Sequence, residues 1–430
     1  MSAFNIFIVL LIFIVGIGIV NEKFFKIQSD IALVMFSLIM TMVLMVISHV
    51  FHIDAIRSSI SRFGEFGFAE YLMDGVLCFM LFAGASNVNM GKFKENVRAI
   101  SLLALLTTLL SAFFFGVLFF IISYIFGIGM DLPTCILLGC VVSPTDPIAA
   151  TGILSKIGLS KNVCSVIENE SLFNDGTGVA LFIFMKSIVQ RSGEQGFFLI
   201  MFREIAGAFV VALVVSFLLF KLMEITRDPI KYILISLLDV SIVYLICEHL
   251  GFSGVIASVV CGMYFSRRFS KMERRAMVVD PRGFYKDFWE IMETLLNSVL
   301  FVMIGVMVFT VDVSSYAAII IPAAIIIVVL VRAFGVMVST LINGEKNIPG
   351  NYDLFEYVTL MTWTALKGGL SLALAISTEE FLPPDIYDVF INVTYAIIFF
   401  TVLVQGLSVK KVYFALEKHR LDRSKGRRAH

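Results

Sequence analysis

Apolar residues gather along this chain into long blocks separated by short charged segments. Thirteen blocks of membrane-spanning length lie near 3–20, 31–49, 71–88, 99–126, 132–154, 164–189, 200–223, 229–249, 252–266, 288–311, 316–342, 355–376 and 386–409. A run of about 17–25 apolar residues crosses the hydrocarbon core as a helix. The pattern therefore predicts an all-α integral membrane protein of about 13 transmembrane helices, the ninth short and the fourth long enough to tilt. Two blocks break their own pattern at the centre. The fifth contains VVSPTDPIAATGIL (141–154), with Pro144, Asp146 and Pro147 in four positions. Pro144 cannot donate to the carbonyl of Cys140, nor Pro147 to that of Ser143, so the helix must open around 143–146. The twelfth contains TWTALKGGLSLALA (362–375), where Gly368 and Gly369 follow Lys367. Unwound backbone at membrane depth survives where it is buried in protein or lines a watery cavity. Interrupted spans in corresponding positions of two halves mark inverted-repeat transporters with a midplane site.

Composition agrees with a bilayer setting: of 430 residues, 59% are hydrophobic and 15% charged, too few polar residues to coat a soluble particle of this size. No water-soluble domain stands out, so residues 1–430 read as one transmembrane domain. Net charge is zero, but its distribution is informative. With the N-terminus outside, 26 of the 33 Lys and Arg fall on the inner side, 4 outside and 3 within spans. The positive-inside rule then gives an outer N-terminus and a cytoplasmic C-terminus. The basic loop at 267–288 and the basic tail at 410–430 follow the same rule and attract anionic headgroups, and nucleic acid is not expected as a partner. All six cysteines lie in or beside apolar runs without a CxxC, which reads as packed thiols and neither a metal framework nor a disulfide scaffold.

Candidate chemistry lies at the midplane. Asp146, Asp175, Arg332 and Lys367 each fall within about three residues, roughly 5 Å, of the centre of the fifth, sixth, eleventh and twelfth spans. An uncompensated charge at that depth costs at least about 2.5–3.5 kcal/mol. Two acids and two bases at one depth compensate each other only if the four helices meet. In the sixth span, ENESLFND sets Glu170 four residues before Asn174 and Ser171 four before Asp175, on neighbouring strips of one helical face. Ser171, Asn174 and Asp175 offer hard oxygen donors that suit a small alkali cation, while a hydrogen-bonded packing patch is the plainer alternative. Carbonyls freed at the first break, with the Thr145 hydroxyl, add donors. Asp146 offsets the positive end of the half-helix that follows it, and Lys367 complements the negative end of a broken helix. Asp239, at the centre of the eighth span, either lines an ion funnel or is a neutral, hydrogen-bonded acid at a domain boundary. A monovalent cation channel would use the same midplane. An intramembrane enzyme fits poorly, since there is no HExxH and the bases argue against a proton shared by two acids.

The pair SPTDPIAA and ENESLFNDGTGVALF resembles the NhaP-type cation:proton antiporter family, which includes the animal sodium/proton exchangers. CEHLGFSGVIASVVCG (247–262), Arg332 in VLVRAFGV and WTALKGGLSLALA follow the family pattern in order, across nearly the whole chain. The resemblance implies a six-helix core bundle with two crossed unwound helices, the fifth and twelfth spans. It implies core halves at 71–189 and 288–409, interface helices at 1–49 and 200–266, a homodimer, and elevator-type alternating access. It implies that Asp175 is the carboxylate shared by ion and proton, with Ser171, Asp146 and Thr145 completing a Na+ site, and that Glu170 pairs with Arg332. Exchange of Na+, with Li+ or K+ as alternatives, against a proton then needs no cofactor. Asn174 cannot titrate where some relatives carry a second Asp, so the expected exchange is one-for-one and electroneutral. One departure stands out: the family shows Arg in GLRG where this chain has ALKG, with Lys367 in its place. Lys keeps the charge and loses the bidentate fork.

Overall fold

The structure, a computed structural model, describes residues 3–51, 75–146, 148–190, 197–226, 228–271, 281–308 and 313–428. Among the described residues every regular element is a helix, joined by one isolated antiparallel bridge between Asp146 and Leu366. Helices α1 (Ala3–Val20), α2 (Ser29–Phe51), α3 (Leu77–Asn87) and α4 (Val97–Phe126) precede two short pieces, α5 (Leu132–Val142) and α6 (Ile148–Leu154). Then come α7 (Lys161–Val189), α8 (Phe197–Ile225), α9 (Pro229–Leu250), α10 (Gly254–Lys271), α11 (Pro281–Met307) and α12 (Ala317–Asn343). A second pair of short pieces, α13 (Leu354–Trp363) and α14 (Gly369–Ile376), leads to α15 (Pro384–Phe399) and α16 (Gly406–Arg428). Nine helices among the described residues are long and apolar enough to cross a bilayer, and α3 and α5 are shorter apolar helices.

Both interruptions fall where the sequence places them. α5 starts with Asp131 as N-cap, its carboxylate accepting from Thr134 N at 3.0 Å, and with a proline in the first turn, the arrangement a helix start favours. It stops at Val142, immediately before the Ser143–Thr145 stretch, where Pro144 and Pro147 leave the carbonyls of Cys140 and Ser143 without helical donors. α13 opens with a complete capping box between Asp353 and Glu356, and its helix ends at Trp363, before the two glycines.

The thirteenth span, expected to end at 409, runs on. α15 passes through a π turn, Phe400–Gln405, into α16, so the basic tail is helical as far as Arg428. Tyr413 and Leu416 are buried along it, which gives a largely polar helix the tertiary contacts that propensity alone does not supply.

The chain divides into two compact units. One comprises Met1–Ala69, Asn96–Val189 and Ser298–His430; the other comprises Glu70–Glu95 and Gln190–Asn297. In this grouping α1 and α2 belong with the broken helices, and α3 belongs with α8 to α10. The expected core halves 71–189 and 288–409 and interface segments 1–49 and 200–266 divide the chain differently. In the first unit α4 and α5 pack at backbone distance: a Cβ on Gly139 would sit 2.1 Å from the carbonyl oxygen of Ala112. Small residues at such a crossing let helices approach where lipid offers no hydrophobic drive. The second unit is cored by Phe82, Phe220, Phe265, Phe269, Tyr285 and Trp289, with Trp289 Nε1 donating to Ser236 Oγ at 3.0 Å.

Candidate functional site

The two unwound segments meet. Asp146 N donates to the carbonyl of Leu366 at 2.8 Å, a single β-type contact that pins one break to the other. Each break then supplies the charge that the other helix end lacks. Lys367 Nζ donates to the carbonyls of Ser143 and Pro144, both at 2.9 Å, so the ammonium sits on the freed carbonyls at the C-terminal end of α5. Asp146 lies against the start of α14: a Cβ on Gly368, its N-cap, would fall 2.8 Å from Asp146 Oδ2. The acid thus stands near the positive end of a helix in the other half of the chain, and the base at the negative end of α5. The backbone N–H of Lys367 is taken by Thr401 Oγ1 at 3.0 Å.

α7 braces this crossing with one polar face. Asn174 is fully buried. Its Oδ1 accepts from Thr145 N at 3.1 Å, and its Nδ2 donates to Thr145 Oγ1 at 2.6 Å and to Glu170 Oε1 at 2.8 Å. Ser171 Oγ lies 3.2 Å from Thr145 Oγ1 and also hydrogen-bonds to the carbonyl of Thr145. Glu170 in turn receives both ends of the Arg332 guanidinium, Nη1 to Oε1 and Nη2 to Oε2, each at 3.0 Å. Bidentate geometry of this kind is the strong form of a carboxylate pair. Gly178, two turns along α7, is a close approach: a Cβ there would meet Pro144 Cγ at 2.4 Å.

Asp175 follows Asn174 on α7 and is half-buried. The charges acting on it are those of Asp146, Glu170 and Lys367. Asp146, Thr145, Glu170, Ser171, Asn174, Asp175, Arg332 and Lys367 all belong to the first unit. Asp239 belongs to the second, where it is fully buried and accepts from Ser216 Oγ at 2.7 Å. Thr401 and Gly178 escaped the sequence reading. A lone Thr in an apolar span carries no signal, and the glycine spacing in NDGTG becomes meaningful only once Pro144 is known to face it.

Crossed broken helices carrying buried, paired charges, in a chain whose described regular elements are all helices, define the discontinuous-helix class of membrane proteins. Within that class this chain belongs to the sodium/hydrogen exchanger family: the family's pattern, described as sodium/hydrogen exchanger, transmembrane, matches residues 58–415. It is 29% identical over 404 residues to the Na(+)/H(+) antiporter NhaP of Pseudomonas aeruginosa, covering 91% of each chain. It is 28% identical over 358 residues to the low-affinity Na(+)/H(+) antiporter NhaS1 of Synechocystis, covering 81% of this chain and 65% of that one. The fold matches the sodium proton antiporter MjNhaP1 from Methanocaldococcus jannaschii at a TM-score of 0.74 and 18% identity, over 97% of this chain and 99% of that one.

Proposed function

We propose that the protein exchanges Na+ for a proton across a cell membrane, one for one, with Asp175 as the carboxylate that the two compete for. The observation carrying this reading is the brace at the first break: Ser171 and Asn174, the latter next to Asp175 in sequence, hold the unwound Thr145. Asp175, Ser171, Thr145 and Asp146 then offer hard oxygen donors of the kind an alkali cation takes. Bound Na+ and bound proton exclude each other on one carboxylate, so a site that crosses only when loaded must exchange them. Asn174 does not titrate, and its amide is committed to Thr145 and Glu170, which favours an electroneutral cycle. Lys367 and Asp146 keep the broken helix ends neutral, and Glu170 with Arg332 braces them. Alternating access is of the elevator type, and the working form is a homodimer. The N-terminus lies outside and the C-terminus in the cytoplasm, where basic residues meet anionic headgroups. The cellular role is control of internal pH and sodium.

Proton flux in proteoliposomes with a preset pH gradient tests this, on adding Na+, Li+ or K+, with the voltage free and then clamped at zero. Gradient collapse that requires Na+, ignores the clamp and disappears in Asp175→Ala is the expected result. Flux that quickens under the clamp would refute the one-for-one cycle. Conductance without proton movement would favour a channel.

A further inference from the structure

One acid beside the crossing has no role in the exchange site described above. Asp30 stands in the first turn of α2 and is only 5% exposed. The turn that delivers it is tightly held. Buried Asn21 clamps Ile27 from both sides: its Nδ2 donates to the Ile27 carbonyl at 2.8 Å, and its Oδ1 accepts from Ile27 N at 3.1 Å. Lys26 makes the bend in the left-handed region, with φ 54°, which is uncommon for a residue with a side chain. Gln28 then donates from Nε2 to Asp30 Oδ2 at 3.1 Å. The same amide lies against α6, where a Cβ on Gly152 would sit 2.9 Å from Gln28 Nε2.

α2 packs on α6 and on the π turn Phe400–Gln405, whose Thr401 takes the N–H of Lys367. α6 begins two residues after Asp146, and the charge of Asp146 acts on Asp30. Among the described residues no Lys, Arg or His pairs with Asp30. An acid in the first turn favours a helix whether it is exposed or buried, so capping gives no reason to bury this one. Buried carboxylates that feel each other disfavour joint ionisation unless a cation offsets them. No side chain supplies that cation to Asp30. A transported ion can.

We propose that Asp30 is a further cation-handling residue, which together with Asp146 forms a waiting position for Na+ between α2 and α6, ahead of Asp175. On the orientation proposed above, α2 starts at the cytoplasmic end, so the position serves ions that enter or leave on the inner side. Both carboxylates are hard oxygen donors. Gln28 is half-buried and Ser29 exposed, so water reaches the turn and completes the cation's shell. Loss of the Asp30 charge weakens capture, while Ser171, Thr145 and Asp175, which hold the ion during exchange, are untouched. The proposal rests on the exchange reading and adds a residue to it. The sequence conceals Asp30 because it closes a polar turn, KIQSD (26–30), where an acid reads as a solvated helix start.

The test uses the full-length protein in everted membrane vesicles, whose cytoplasmic face meets the bath, from cells lacking other Na+/H+ exchangers. Proton movement is followed as Na+ is raised in the bath, and the purified variants are melted in detergent alongside. Asp30→Asn is expected to raise KM for Na+ about fivefold while keeping the maximal rate and the melting point of wild type. Asp30→Glu keeps the carboxylate and is expected to keep a KM near wild type. If Asp30→Asn melts early, Asp30→Ser, which retains a helix-start acceptor, takes its place with the same expected rise. An unchanged KM in the uncharged variant, or an equal rise in Asp30→Glu, would overturn the proposal. So would a fall in maximal rate and melting point with KM kept, the signature of a merely structural acid. Wild type that exchanges beside an Asp30→Asn of unchanged KM removes the waiting position alone, whereas wild type without Na+-driven proton movement removes the exchange reading and this role with it.

Discussion

Asn174 is the residue on which the site's geometry converges. One amide links the first break, through both the N–H and the hydroxyl of Thr145, to the carboxylate of the Glu170–Arg332 pair. Asn174→Ala removes a partner from three buried polar groups; Thr145 Oγ1 keeps Ser171 and Glu170 Oε1 keeps Arg332, while the Thr145 N–H is orphaned at a cost of about 1–3 kcal/mol. Expected is a lower thermal midpoint in detergent and a loss of Na+-dependent exchange, read by melting and flux on one preparation. Asn174→Asp is also expected to fall in stability, because an oxygen would face Glu170 Oε1 where a donor now sits 2.8 Å away. The pair itself behaves differently. Removing one member of a buried ion pair costs about 3–5 kcal/mol, since the other charge is left uncompensated. Arg332→Ala is therefore expected to destabilise the protein more than Arg332→Lys, which keeps the charge and loses one of the two parallel contacts. Equal melting of the two variants would contradict this account of the pair.

At the scale of elements, the crossing depends on a few close approaches. Gly178→Ala places a methyl 2.4 Å from Pro144 Cγ, and a proline ring at a helix break has little freedom to retreat. Overpacking of this kind costs about 1–3 kcal/mol, and here it pushes α7 away from the break. A raised KM for Na+ together with a lower melting point is the expected signature, and unchanged kinetics would mean the ring yields. These elements were unequally legible in the sequence. Pro144 and Pro147 announce the first break because they remove donors whatever surrounds them. Gly368 and Gly369 announce the second less firmly, since glycine permits a break without requiring one. What no local pattern encodes is the join between them: the contact of Asp146 with Leu366, and Lys367 reaching carbonyls more than 220 residues away in the chain. The midplane depth of four charges told which helices had to meet, but not which atoms. The helical tail was hidden for another reason. α16 is polar enough to read as a solvated extension, and its anchors, Tyr352, Glu356 and Gly350, come from a different part of the chain.

For the whole molecule, orientation is the property that sequence charge states most directly and that contacts within the chain do not reveal. The bias of 26 inner to 4 outer basic residues predicts an outer N-terminus and an inner C-terminus. The cysteines make this easy to test, because all six are buried and offer a membrane-impermeant maleimide little to react with. A cysteine introduced at Ser424, in the basic tail, is expected to label only after the cells are opened. One introduced at Ser59, between the second and third spans, is expected to label in intact cells. The reverse pattern would invert the topology. Labelling of both sites in intact cells would put both loops on one face, which an even count of spans between them requires. Between Ser59 and Ser424 the sequence places eleven spans, an odd number, so the two labels also check that neither broken pair, α5 with α6 or α13 with α14, turns back at its break while the other crosses.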